Sequence, residues 1–168
     1  TMNYMRILNK NLPRNIRIVG WTLVDSSFDA RFSCLARVYK YFFVKRNKNV
    51  DKMQEAARYL FGEHDFRNFC KLNVVETVKY TRSVLYCNVQ RSECSVCLKV
   101  PHPLLADNGD AEVWEIEICG RSFLWHMVRS IVSVLFLVGD GKEEPDVVKE
   151  LLNVEKYPSR PQYLIASE

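Results

Sequence analysis

Residues 123–139, FLWHMVRSIVSVLFLVG, are the most apolar run of the chain, and Arg129 sits near the middle of it. A membrane-spanning helix needs about 20 apolar residues. This run has 17, is interrupted by His126, Arg129, Ser130 and Ser133, and is bounded by Arg121 and Asp140. It predicts a buried helix of a soluble domain, running from about Ser122 to Gly139. A guanidinium buried there would cost several kcal/mol unless a carboxylate and further hydrogen bonds compensated it. Helical spacing resolves part of the conflict. Ser122, Trp125, His126, Arg129 and Ser133 share one stripe, and Phe123, Met127, Ile131, Val134 and Val138 share the opposite one. Arg129 is then on the polar stripe of an otherwise buried helix. Two roles stay open: pinning a loop carboxylate or sheet edge, or holding a catalytic carboxylate or a phosphate in a cleft.

The rest of the chain supplies what that helix would cover. Residues 36–44, ARVYKYFFV, are dense in aromatic and β-branched types and read as a strand. Alternation places Arg37, Tyr39, Tyr41 and Phe43 on one face and Val38, Lys40, Phe42 and Val44 on the other. Residues 81–90 and 113–120 also alternate and read as paired antiparallel strands. NIRIVGWTLV (15–24) and QYLIAS are two further expected strands. DKMQEAARYLFG reads as a helix with Asp51 as its cap and Gly62 as its stop, and Pro145 opens a short last helix. EHDFRNFCK reads as irregular. The link near residues 91–110, with Pro101, Pro103 and Asn108-Gly109, predicts an exposed insertion. At 168 residues, with 48% hydrophobic types, the chain reads as one domain. Its order of elements predicts an α+β fold, an antiparallel sheet with helices packed on one face.

The row Arg37-Tyr39-Tyr41, with Arg31 and Lys40 beside it, suits stacking on a base while cations meet phosphates. It equally suits a plain sheet core with cations reaching for solvent. A net charge of +4 adds little to either reading. The six cysteines lie in apolar or strand-like settings with no signal peptide, which predicts reduced thiols in the cytoplasm and/or nucleus. Cys94 and Cys97 with His102 make one CxxC without a second pair, a weak zinc signal. No phosphate-binding glycine loop, GxSxG, HExxH or dinucleotide fingerprint is present.

Several phrases carry a more specific likeness. LPRNIRI, FDARFSCLARVYKYFF, GEHDFRNFCK, FLWHMVRSIV and PSRPQYL follow one another as they do in TruA-type tRNA pseudouridine synthases. The chain resembles that family from about Asn11 to Leu164, and most closely its eukaryotic branch, which modifies the anticodon arm beside the loop. The resemblance implies two α+β halves around a continuous sheet, with this chain as the second half. The nucleophilic aspartate would lie in a Gly-Arg-Thr-Asp phrase of the first half, and no such phrase occurs here. The chain alone is therefore expected to be inactive.

By the same resemblance Arg129 orients the aspartate, and Tyr39 stacks on the flipped uracil and helps remove the proton at C5. Arg31, Arg37, Lys40, His126 and Gln162 would meet RNA. Gln162 stands in Pro161-Gln162-Tyr163, where bacterial relatives close the uracil pocket with an apolar residue. No cofactor or metal is implied. The partner implied is tRNA, a homodimer is admitted, and no membrane is involved. The substrate would be uridine of the anticodon stem-loop, in the position 38/39 class. The alternatives are an RNA-binding module without catalysis, a related enzyme acting on other tRNA positions or other RNAs, and an α+β interaction domain with a structural Arg129.

Overall fold

A computed structural model describes residues 2–71, 79–93 and 112–159. It divides into two compact units, one up to Cys34 and one from Leu35 on.

In the first unit α1 (Tyr4–Asn11) is capped by Asn3, whose side chain accepts from the Arg6 amide. The expected strand at 15–24 is absent, and these residues form an irregular extended segment. A strand needs a ladder partner for its backbone groups, and among the described residues this segment has none. Asn9 holds it instead, donating to the Ile18 carbonyl at 2.9 Å and accepting from the Ile18 amide at 2.7 Å. Most of its apolar side chains are exposed, Val19 to 95%, while Ile18 is half-buried and Trp21 packs edge-on against Tyr4.

The second unit is built on a four-stranded antiparallel sheet. The strands β1 (Arg37–Val44), β2 (Gly62–Asp65), β3 (Thr81–Arg91) and β4 (Val113–Gly120) lie in the order β1-β4-β3-β2. The middle pair is the one that alternation predicts. Among the described residues three helices accompany the sheet: α2 (Val50–Arg58), α3 (Met127–Gly139) and α4 (Val147–Leu152). This is the α+β arrangement expected, an antiparallel sheet with helices. The segment expected to be irregular holds β2 and a single 3-10 turn, Arg67–Phe69. The expected strand QYLIAS lies outside the described residues. So do residues 94–111, and with them most of the expected insertion.

Register explains which face is core. Tyr39, Tyr41 and Phe43 stand opposite Ile118, Ile116 and Trp114, and Cys87 and Val89 face Ile118 and Ile116 from the other side. Directly paired residues point to the same face. That face carries Ile116, Ile118, Cys87 and Val89, all buried, and packs with Met127, Ile131, Leu135 and Val138 of α3 and Met53, Ala56 and Ala57 of α2. Gly139 lets the two helices meet, because a Cβ there would stand 2.6 Å from the Met53 sulfur. The cap of α2 is Asn49, which accepts from the Lys52 amide at 3.0 Å, not the expected Asp51.

Helix α3 starts five residues later than periodicity predicts. His126, at φ 60° and ψ 10°, is in the left-handed region, so the helical path cannot extend back through it to Ser122. Ser122 and Trp125 thus precede the helix, while the buried stripe from Met127 to Val138 is as expected.

Candidate functional site

The site is built where β1 and α3 meet. Phe136 packs edge-on against both Tyr41 and Phe43, with ring centroids 5.9 and 5.2 Å apart. Tyr39, one pleat earlier on the same face, packs edge-on against Phe123 at 5.2 Å, and the residue is 46% exposed. The chain from Phe123 to Phe136 therefore runs along β1 from its Tyr39 end toward Phe43. Arg129 precedes Phe136 by seven residues, which puts it on the same helix stripe about 10 Å nearer the Tyr39 end.

Arg129 is exposed in the first turn of α3. Among the described residues, its side chain has no hydrogen-bond or ion-pair partner. A sealed structural arginine would be buried against a carboxylate of this chain. Among the described residues the geometry is the opposite.

The other expected residues fall into four groups. Arg37 stands two positions before Tyr39 on the same face of β1, and His126 three positions after Phe123, the residue that packs on Tyr39. His126 is half-buried and precedes α3, and its carbonyl accepts from the Ser130 amide at 3.0 Å. Arg37, opposite Gly120 at the start of β1, donates to the Arg121 carbonyl at 3.0 Å. Arg31 belongs to the first unit, where its guanidinium lies 5.3 Å from the Phe32 ring centroid. Gln162 lies outside the described residues, as do Cys94, Cys97 and His102. Among the described residues no group of three His, Cys, Asp or Glu side chains could hold a metal ion.

Lys40 is not brought to the Tyr39 face. The pleat turns it to the opposite side of the sheet, where its ammonium pairs with Glu115 at 2.8 Å and Glu117 at 2.9 Å. Gln90 and Ser92 also donate to Glu115, and the Tyr86 hydroxyl donates to Glu117. Burial pushes the Glu115 carboxyl up, but Lys40, Gln90 and Ser92 outweigh it and hold the group below its ordinary range. The hydrogen bonds from Lys40 and then Tyr86 hold Glu117 down as well. The bond to Glu117, with burial, pushes the Tyr86 phenol up to about 12. A lysine bound by two carboxylates on the far face contributes sheet stability there. The pleat that alternation predicts already separates it from Tyr39, but the two acidic partners come from β4, a pairing that sequence order does not disclose.

Among the described residues, the sheet, its helix-covered face and the exposed stripe from Tyr39 to Arg129 define an α+β protein that presents a cationic and aromatic face. Comparison with known proteins narrows that class. Residues 56–168 match the model of a family described as tRNA pseudouridine synthase. The chain belongs to this tRNA pseudouridine synthase family. It is 42% identical over 171 residues to the tRNA pseudouridine(38/39) synthase of Bos taurus, covering 99% of this chain and 34% of that protein. The protein of the same name from Saccharomyces cerevisiae is 39% identical over 168 residues, covering 98% of this chain and 34% of its own length. The tRNA pseudouridine synthase A of Methanosarcina barkeri is 31% identical over 152 residues, covering 90% and 49%. The chain thus spans about a third of the length of the eukaryotic relatives and half of the archaeal one.

Proposed function

We propose that this chain forms the Tyr39 and Arg129 side of the active site of a tRNA pseudouridine synthase that isomerises uridine in the anticodon stem-loop, in the position 38/39 class. The names of the bovine and yeast relatives support the substrate class. The observation that carries the reading is Arg129: exposed, lacking a side-chain partner among the described residues, and on the stripe that leads to Tyr39.

In this reading a carboxylate from outside these 168 residues meets the guanidinium, whose planar fork fixes its orientation and keeps it ionised. That carboxylate attacks the uridine at C1′ of the ribose or C6 of the base. The glycosidic C–N bond breaks, the base turns, and C5 bonds to C1′. The C5 proton then leaves with the help of Tyr39, N1 takes up a proton, the enzyme carboxylate is released, and the product is an isomer of the substrate. The uridine must leave its stack to react. The exposed Tyr39 ring, steadied by Phe123, offers the flipped base a surface. Arg37 and His126 border that surface, and Lys40 is left out because its charge is already met by Glu115 and Glu117.

The partner is tRNA, and a homodimer is compatible with this reading. No helix among the described residues is long and apolar enough to cross a membrane. The compartment proposed is the cytoplasm and/or nucleus, on the scattered placing of the six cysteines in the sequence.

The experiment is tritium release from tRNA carrying C5-labelled uridine, using the full-length protein that contains this chain, followed by mapping of pseudouridine in the product. Release with pseudouridine in the anticodon stem-loop is expected. Tight tRNA binding without release would support a binding module instead.

A further inference from the structure

Beside the expected residues lies a second aromatic and cationic feature that no step above uses. Trp125 is 59% exposed, although its neighbours in the chain anchor it firmly: Leu124 and Met127 are 9% and 0% exposed. Its carbonyl accepts from the Lys71 amide at 3.0 Å, and the Lys71 ammonium stands 4.8 Å from the indole centroid. Lys71 in turn follows Phe69 and Cys70, both buried. The His126 ring lies 5.0 Å from the indole, tilted by 54°. The backbone of His126 is left-handed, a conformation that costs free energy in any residue with a Cβ. Two anchored segments and a strained residue thus hold one indole out in solvent.

We propose that Trp125 and Lys71 form a stacking platform for an unpaired base of the substrate RNA next to the target uridine. The base stacks on the indole face turned away from Lys71, and the Lys71 ammonium, which lies over the other face, meets the phosphate of the same nucleotide. The chemistry fits both parts of a nucleotide: a π-face stacks on any base, and a cation held beside it answers the backbone charge. Its place in the chain fits as well, because Trp125 falls in sequence between Phe123, which supports Tyr39, and the exposed Arg129. The platform would act by gripping the strand that flanks the flipped uridine, and its residues touch neither bond that breaks. This inference rests on the reading of the chain as part of a tRNA-modifying enzyme.

The test uses the full-length protein and an anticodon stem-loop transcript, with KM and kcat from tritium release and affinity from filter binding across salt concentrations. Trp125→Leu keeps apolar bulk without a π-face. It is expected to raise KM about tenfold, the loss of one stacked base, with kcat within about twofold. Trp125→Tyr restores a π-face and should bring KM back toward the wild-type value. Lys71→Gln should lower the logarithmic salt slope by about 0.7, one phosphate contact on a single strand. Wild-type KM and salt slope in Trp125→Leu and Lys71→Gln would overturn the platform while leaving the enzyme reading intact. Equal loss in Trp125→Leu and Trp125→Tyr, tracking a lower melting temperature, would also overturn it, because packing alone would then explain the residue. A wild-type protein that releases no tritium would sink the parent reading instead.

Discussion

Replacing Arg129 by lysine separates its two possible roles in one protein. The structure gives the guanidinium solvent exposure and, among the described residues, no side-chain partner, so little stability rests on it. An exposed substitution of this kind changes stability by no more than about 0.5 kcal/mol. For a domain of this size that is a shift in melting temperature of about 1–2 °C. Activity should respond very differently. Lysine keeps the charge but loses the planar fork that holds a carboxylate by two parallel hydrogen bonds. Leaving a desolvated carboxylate without its proper partner costs about 3 kcal/mol. If that cost falls on the reacting state, turnover drops about 150-fold. The assay is tritium release by full-length wild type and Arg129→Lys, beside thermal denaturation of the same samples. A melting temperature lowered by several degrees, with turnover intact in the folded fraction, would refute the reasoning and return Arg129 to a structural role.

Gly139→Ala should destabilise the protein by about 1–2 kcal/mol through overpacking against Met53, and a double-mutant cycle with Met53→Ala should remove most of that penalty. Glu115 and Glu117 titrate below the ordinary glutamate range in the folded chain, so the stability they contribute is present above about pH 4.3 and is lost as pH falls through their folded values. Acid unfolding followed by circular dichroism should therefore steepen below about pH 4, and Glu115→Gln should flatten that slope. Binding of tRNA should weaken with salt, each phosphate contact on duplex adding about 0.9 to the logarithmic slope. Filter binding that ignored salt would contradict a phosphate-gripping face.

The parts of the fold legible in the sequence are those whose periodicity reports burial on one side. The faces of β1 and the buried stripe of α3 followed from spacing alone, because Phe43 and Met127 to Val138 answer to one core. Local backbone choices were not legible. Nothing in LWHM announces that His126 turns left-handed, and that turn moved the start of α3 from Ser122 to Met127. Apolar alternation at 15–24 resembled a strand but has no partner to pair with among the described residues, and pairing is a non-local property. The short strand β2 was hidden for a related reason: its four residues, GEHD, gain their order from β3. At the site, the exposure of Arg129 followed from its stripe. Lys71 gave no signal, because its indole partner lies 54 positions along the chain and is met only in the fold.

The central claim is that this chain supplies Tyr39 as the residue that stacks on uracil and helps take the C5 proton. Tyr39→Phe tests it most directly, because phenylalanine keeps the ring and the Phe123 contact while deleting only the hydroxyl. The measurement is tritium release from C5-labelled anticodon stem-loop RNA by the full-length variant, with RNA affinity measured in parallel. The account predicts that release falls by orders of magnitude while affinity stays within about twofold, since the stacking face survives. Release at the wild-type rate by Tyr39→Phe would contradict it.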